Sequence, residues 1–216
     1  MTLIEQLNAV IIAIAKDISN NSGNSGGSSS DNSALLLRKI GEKWYRSGLR
    51  HSAEYPYPCP TAYSYKPING AQYFIPFTAL EDATITSLEI NCATAQANAT
   101  VSLGIYASDS NNNVADPLFT SAPISCSTTG VKNAPCNVQI TKGEVYWLSS
   151  LSIGSSQPTF PCIAPSTLFP IKGAATASEL AIIGYYTTGN TSMAQSAPTN
   201  KIDLSANAPR VLFITG

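Results

Sequence analysis

The sequence predicts a mainly β protein: an antiparallel β-sandwich of the jelly-roll kind, with an N-terminal helix on a flexible tether. From about residue 70 onward, short segments of alternating apolar and polar residues are separated by Pro, Gly and Asn clusters. Such segments, with no helical period between them, are typical of sandwich strands. Residues 19–33 contain no apolar side chain, so they cannot bury surface to offset the entropy lost on ordering. These patterns divide the chain into a helix (1–18), a Gly/Ser/Asn linker (19–33), a connecting arm (34–69) and a β-sandwich (70–216).

The first element is an amphipathic helix that serves as an anchor or trimerisation segment. Thr2-x-x-Glu5 forms a capping box, which is a helix-start signal. Behind it runs an a/d heptad stripe of Ile4, Leu7, Ile11, Ile14 and Ile18. Isoleucine at most of these positions favours three or four strands over two. Because so short a helix is marginal alone in water, it needs a partner: its own symmetry copies, another protein or its own β domain.

The connecting arm is basic and rich in Pro and Tyr. It holds five cations against the single acid Glu42, and these cations are Arg38, Lys39, Lys43, Arg46 and Arg50. Trp44 lies among them, and aromatic residues and Arg are favoured at interface anchors. Two interpretations stay open, a solvated segment or a strap that binds an acidic protein surface. In the second interpretation these cations and Trp44, with the helix stripe, form the partner-binding surface. The linker before the arm has a root-mean-square reach of about 20 Å.

The β region contains seven predicted strands, separated by turn signals. They cover residues 73–77, 84–92, 101–106, 138–140, 145–151, 180–186 and 211–214. The segments Ser108–Asp116 and Thr187–Asn200 are polar and turn-rich, and are expected to be outward loops that touch glycans as a secondary role.

Composition excludes several classes of protein. Charged residues make up 12% of the chain, against about 25% in ordinary soluble proteins, and the formal net charge is −1. A nucleic-acid binder would normally show a basic surplus. No apolar run reaches about 18 residues, so no transmembrane helix is expected, and Glu5 stands where a signal peptide would be basic.

The cysteines and the single histidine suggest no catalytic or metal site. Five cysteines without a Cys-x-x-Cys pair predict buried free thiols, with a bridge between Cys126 and Cys136 as the alternative. A Ser-His-acid triad would have to use His51, but no Gly-x-Ser-x-Gly sequence accompanies it. The alternating Asp109, Asn111 and Asn113 lack the other ligands of a calcium loop and indicate a turn. We therefore expect no enzyme, no cofactor and no catalytic residue.

Several strings of residues resemble a domain found in virion surface proteins of tailed bacteriophages. They occur in order at similar spacing, and cover residues 73–77, 83–90, 101–107, 127–132, 145–149 and 208–213. The resemblance implies a capsid cement (decoration) protein, or the distal part of a tail fibre or tailspike. Such proteins are usually trimeric β-sandwiches without cofactors, and no catalytic residue carries over.

The combined expectation is a trimeric cement protein on the outer capsid surface that reinforces the shell. The chain lacks the long repetitive shaft of a tail fibre, which favours this interpretation. Its partners would be two further copies and the major capsid protein, with host-surface glycans as a secondary partner, and assembly would take place in the host cytoplasm. Nucleic acid and membrane are not expected as partners. The alternative is a short tail fibre or tailspike tip, attached to a tail protein, that recognises host glycans.

Overall fold

The computed structural model describes residues 44–53, 63–164 and 182–216, which belong to one compact unit beginning at Trp44. All regular structure within these ranges is β-strand. The strands are β1 (Arg50–Ser52), β2 (Ser64–Tyr65), β3 (Gln72–Thr78), β4 (Ala83–Cys92), β5 (Thr100–Ser108), β6 (Val114–Thr120), β7 (Ile124–Ser125), β8 (Gly130–Ile140), β9 (Val145–Ile153), β10 (Phe160–Ile163), β11 (Gly184–Thr187), β12 (Ile202–Leu204), β13 (Ala208–Pro209) and β14 (Leu212–Thr215). The predicted N-terminal helix and linker lie outside the described residues.

Eight of these strands form a jelly roll. One sheet has the order β1-β14-β4-β8, and the other contains the run β3-β9-β5-β6. Within each of these two sheets, every pair of neighbouring strands is antiparallel. Numbered along the chain, these eight strands give the orders first-eighth-third-sixth and second-seventh-fourth-fifth, which is the double Greek key of a jelly roll. The predicted fold class is therefore confirmed.

The remaining strands extend this framework. β11 and β12 continue the larger sheet beyond β3, and β7 pairs with the start of β5. A third small sheet has the order β13-β10-β2. Both β1 and β2 fall within the segment predicted as a connecting arm, so the end of that arm contributes strands to the sheets.

The main core lies between the two large sheets. Residues of β4 and β5 point into it and are fully buried, alternating along each strand except at the β4 bulge: Ile85, Leu88 and Ile90 from β4, and Val101, Leu103 and Ile105 from β5. Burying a side chain of this size stabilises the fold by about 1.5–3 kcal/mol. The period-two alternation that predicted these strands is thus the pattern that builds the core.

The larger sheet is also covered on its outer face. Phe74, Tyr106, Trp147 and Leu151 are buried there, together with Met193 from the connection between β11 and β12. The expectation of an outward loop at Thr187–Asn200 was therefore wrong for its centre. Met193 supplies the apolar surface that shields the aromatic rings from water.

A buried polar network fixes this connection to the sheet. The Gln72 amide donates to the Tyr106 hydroxyl and to Ser149 Oγ, each at 2.9 Å, and its oxygen accepts the Ala194 N–H at 3.0 Å. The Tyr106 hydroxyl donates to the Ala194 carbonyl at 2.6 Å. Burial raises the pKa of Tyr106 to about 12, so the phenol stays neutral and remains a donor.

Strand β8 forms one edge of the smaller sheet and carries features that interrupt edge pairing. Pro135 lies near its middle, and its register with β4 shifts between Ile85 and Ser87. Lys132 points inward and is buried, with its ammonium 3.0 Å from Thr128 Oγ1. Proline, bulges and inward-pointing charges are recognised means of protecting an edge strand.

The four cysteines that the structure describes are free thiols, as the first of the two sequence interpretations predicts. Cys126 and Cys136 are free thiols, and they lie against different backbone carbonyls, those of Ile124 and Ile85. Cys92 and Cys126 are buried and Cys136 is half-buried.

Candidate functional site

The candidate site is the segment that joins the N-terminal region to the sandwich, here called the anchor segment (residues 44–53). It ends in β1, which pairs with β14 so that Arg50 faces Ile214 and His51 faces Phe213. A turn precedes the strand, with Gly48 at a φ of +76° that L side chains rarely adopt. The Gly48 N–H donates to the Thr215 carbonyl at 2.9 Å. The anchor segment is thus attached along the last strand of the jelly roll.

One carboxylate fixes the start of the anchor segment. Glu81 accepts the backbone N–H of Trp44 and of Tyr45, each at 2.8 Å. The Tyr45 hydroxyl in turn accepts the N–H of Leu80 at 3.0 Å. Hydrogen bonds to a charged acceptor are stronger than those between neutral groups, so residues 44 and 45 are held at a defined place on the sandwich.

An aromatic cluster holds the same segment from inside. Tyr45 is only 3% exposed, and its ring lies 5.0 Å from His51 and 5.4 Å from Phe213 in edge-to-face geometry. Phe213 also stacks on Phe77 at 5.0 Å. The imidazole of His51 is buried within this group, and its Nε2 lies 3.4 Å from the Arg46 carbonyl. These contacts give His51 a packing role.

A charged cluster holds the outer side of β1. The Arg50 guanidinium forms a two-point ion pair with Glu89 of β4, with the second contact at 3.2 Å. Asn133 donates to Glu89 at 3.2 Å and to Ser87 Oγ at 2.7 Å. The Glu89 side chain is 6% exposed, whereas that of Arg50 is 53% exposed. Arg50 therefore compensates a carboxylate that the sheet has largely removed from water.

Replacing Arg50 by alanine is expected to lower the free energy of unfolding by about 1–2 kcal/mol. Stability falls because the buried Glu89 carboxylate loses its cation. The loss is moderate because water screens the exposed guanidinium of Arg50. Urea denaturation of the full chain measures the change. The matched variant Arg46→Ala removes an exposed guanidinium and should change stability by less than about 0.5 kcal/mol. Equal effects from the two variants would contradict the assigned role of Arg50.

The structure describes three of the predicted partner-binding residues, Trp44, Arg46 and Arg50. Trp44 is 36% exposed and Arg46 is exposed, and the neighbouring Leu49 is 50% exposed, so an apolar and basic surface lies beside the turn. Arg50 instead reaches a carboxylate of its own chain. The other predicted positions stay predictions, because they lie outside the described residues: Ile4, Leu7, Ile11, Ile14, Ile18, Arg38, Lys39 and Lys43.

Sequence reasoning missed Glu81 and Glu89, which receive the anchor segment, and the burial of Tyr45 within that segment. One signal was available for Glu89. It stands in the apolar alternation of β4 between Leu88 and Ile90, and a carboxylate in a well-covered strand requires a nearby donor. Nothing in the sequence indicates which cation supplies it.

Other chemistry in the described residues is limited. No group of three or more His, Cys, Asp or Glu in the described ranges could hold a metal ion. Asp109 caps the β5–β6 turn, accepting the N–H groups of Asn111 and Asn113 at 2.8 Å each. The hydrogen bond from Asn113 is the main reason that the pKa of Asp109 is lowered. The predicted turn is therefore observed, with Asn112 at a φ of 58°. In the part of the chain that the structure describes, no helix is long and apolar enough to cross a membrane.

The comparison with solved structures finds only weak likeness. No family model matches the chain, and no curated protein matches it. Among solved structures, the chain is similar to one from the Gx strain of infectious bursal disease virus, with a TM-score of 0.30 and 11% sequence identity. The likeness covers 83% of this chain and 47% of that chain, so the chain spans about half the length of the structure it matches. A TM-score this low does not establish a shared fold or function.

Proposed function

We propose that this chain is a virion surface protein of the tailed-bacteriophage β-sandwich kind, and specifically a trimeric cement protein on the outside of a capsid. The observation that carries the proposal is the anchor segment. Glu81, the aromatic cluster and β14 together fix the point at which the chain enters the sandwich. Because the anchor segment pairs with β14, a force applied to the N-terminal region acts on the last strand of the jelly roll and not on a surface loop.

The fold supports a structural role without proving it. Jelly rolls are common in viral capsid proteins and in lectin domains, and a fold alone does not determine function. A small gap between the larger sheet and the small third sheet, bordered by Tyr73, Leu148, Ile163 and Val211, is too narrow for a water molecule. In the proposed role, function depends on the surface and on the region preceding Trp44.

A cement protein acts by binding the assembled shell in preference to its free subunits. Such binding stabilises the shell by mass action. Three linked copies add avidity without strong individual contacts, provided that their N-terminal segments span the binding sites. The proposed contacts are the helix stripe and the basic arm, continuing to the exposed Trp44 and Arg46.

The test compares particles decorated with the full chain and with a chain that begins at residue 34. The truncated protein should keep its β-sheet circular dichroism but bind stripped particles at least about tenfold more weakly. Particles bearing the full chain should release DNA at a higher temperature than bare particles. Light scattering of the free full chain should give three times the monomer mass.

The outcomes separate the proposal from its alternative. If the truncated protein decorates particles as well as the full chain, attachment does not use the N-terminal region. If depleted particles retain DNA normally but lose adsorption to host cells, the protein is a receptor-binding tail fibre or tailspike tip. One observation favours the receptor-binding alternative. Tyr63 is 60% exposed beside the half-buried Tyr65, and exposed aromatic side chains supply rigid contact area for a ligand.

A further inference from the structure

Two buried thiols meet at one end of the sandwich, and each belongs to a different sheet. Cys92 is the last residue of β4 in the smaller sheet. Cys126 directly follows β7, which pairs with β5 in the larger sheet. Both side chains are buried in the main core, and each thiol is close enough to influence the ionisation of the other. They therefore lie side by side across the interface between the sheets.

The backbone holds this arrangement through the connection between β4 and β5. The Cys126 N–H donates to the Ala99 carbonyl at 2.8 Å, and the Cys126 carbonyl accepts the Gln96 N–H at 2.9 Å. The Cys92 thiol donates to the Thr94 carbonyl at 3.4 Å. Residues 94–99 thus contact both cysteines, so the thiols are kept together by short local contacts as well as by the core.

A lysine completes the cluster. Lys132 of β8 is buried at the same end of the sandwich, with its ammonium bound to Thr128 Oγ1. Burial is the main influence on both thiols and raises the pKa of each, to about 12 for Cys126. The positive charge of Lys132 acts in the opposite direction and favours the thiolate at both sulfurs. The cation therefore offsets only part of the effect of burial on the two thiols.

We propose that Cys92 and Cys126 are a latent cross-link site that forms a disulfide between the two sheets when the folded protein meets a disulfide oxidant such as oxidised glutathione. After local opening of this end of the sandwich exposes Cys92, which is 1% exposed in the closed fold, its thiolate attacks one glutathione sulfur, giving a mixed disulfide and releasing one glutathione thiolate. The Cys126 thiolate then attacks Cys92 Sγ and releases the second. The two protons from the cysteines pass to the two released thiolates, so the protein loses two electrons and glutathione gains them.

The cross-link would join elements that are far apart in the chain but adjacent in the fold. It closes the loop from residue 92 to residue 126 and limits separation of the two sheets at this end. Reduced cytoplasm keeps such thiols free, whereas an extracellular medium allows them to pair. This timing rests on the proposed virion role, since a phage protein meets that medium only after host lysis. The chemistry itself does not, so it can be tested on the purified chain.

The experiment treats the folded full chain with oxidised glutathione, then acidifies it, blocks remaining thiols and digests it. Cleavage before aspartate and after lysine separates the two cysteines into peptides 82–108 and 116–132, apart from Cys136 and Cys162. We expect these two peptides to be joined, with a protein mass about 2 Da lower. The oxidised protein should unfold about 5 °C or more higher than the reduced one, and a reductant should reverse the gain.

Two variants make the result specific. Cys136→Ser changes a half-buried thiol outside the pair and should leave the joined peptides unchanged. Cys126→Ala should abolish them and leave Cys92 reduced or carrying glutathione. If this variant does not fold, the peptide map of the unaltered chain still shows whether Cys92 and Cys126 are joined. Peptides 82–108 and 116–132 that remain unjoined, or that are joined to other cysteines, would overturn the proposal whatever the outcome of the decoration assay.

Discussion

Replacing Phe213 by alanine is expected to lower the free energy of unfolding by about 3–5 kcal/mol. Phe213 is fully buried in β14, and its ring contacts Tyr45, His51 and Phe77. Its removal leaves a cavity where the anchor segment meets the core, so the loss combines transfer and cavity terms. Urea denaturation at fixed protein concentration measures the change, because oligomers have concentration-dependent stability.

The same variant should also loosen the anchor segment. Trypsin is expected to cut faster at Arg46 and Arg50 in Phe213→Ala than in the unaltered chain. The control is Val131→Ala, which shortens a 53% exposed apolar side chain and should change stability by less than about 0.5 kcal/mol. A Phe213→Ala loss below about 1 kcal/mol would show that this aromatic cluster does not hold the anchor segment.

Replacing Gln72 by leucine is expected to cost about 2–4 kcal/mol. The substitution nearly conserves volume but removes the donor to Ser149 and Tyr106 and the acceptor for the Ala194 N–H. Denaturation gives the stability change, and amide hydrogen exchange at Ala194 reports whether the connection between β11 and β12 has come away from the sheet.

The matched control is Gln139→Leu, the same change at an exposed position of β8. It should alter stability by less than about 0.5 kcal/mol. A double-mutant cycle with Tyr106→Phe should give a coupling energy of about 0.5–3 kcal/mol, because the two side chains are hydrogen-bonded. Additive effects of the two substitutions would show that Gln72 and Tyr106 do not act as one network.

The strands that were predicted well are those with a long run of alternating apolar and polar residues, interrupted in β4 by one bulge. β3, β4, β5 and β9 each present a regular apolar face to the core, and their predicted bounds agree with the structure to within a few residues. β8 was predicted only over residues 138–140. Its first half places Lys132 inward and Val131 outward, which reverses the expected polarity. Hydropathy cannot identify a buried lysine whose compensation comes from the fold.

Other errors come from contacts that are distant in sequence. The turn at Asp109–Asn113 is observed, but the outward loop predicted over Ser108–Asp116 is shorter than expected, because β6 begins at Val114. Met193 lies in a polar stretch and is buried because it covers rings from β5 and β9. Tyr45 lies in a basic segment and packs in the core because Glu81 and Phe213 receive it. The helix stripe and the first half of the basic arm remain predictions.

In the proposed coat, where many copies would lie side by side, the protected edge at β8 has a consequence for assembly. A coat brings sandwiches to local concentrations at which an eleven-residue edge strand would otherwise recruit the edge of its neighbour. A strand approaching β8 meets Pro135, which offers no N–H, and a register shift that spoils continuous pairing. Growth into ribbons by sheet extension is therefore disfavoured, so that crowded copies of the sandwich would remain individually folded units.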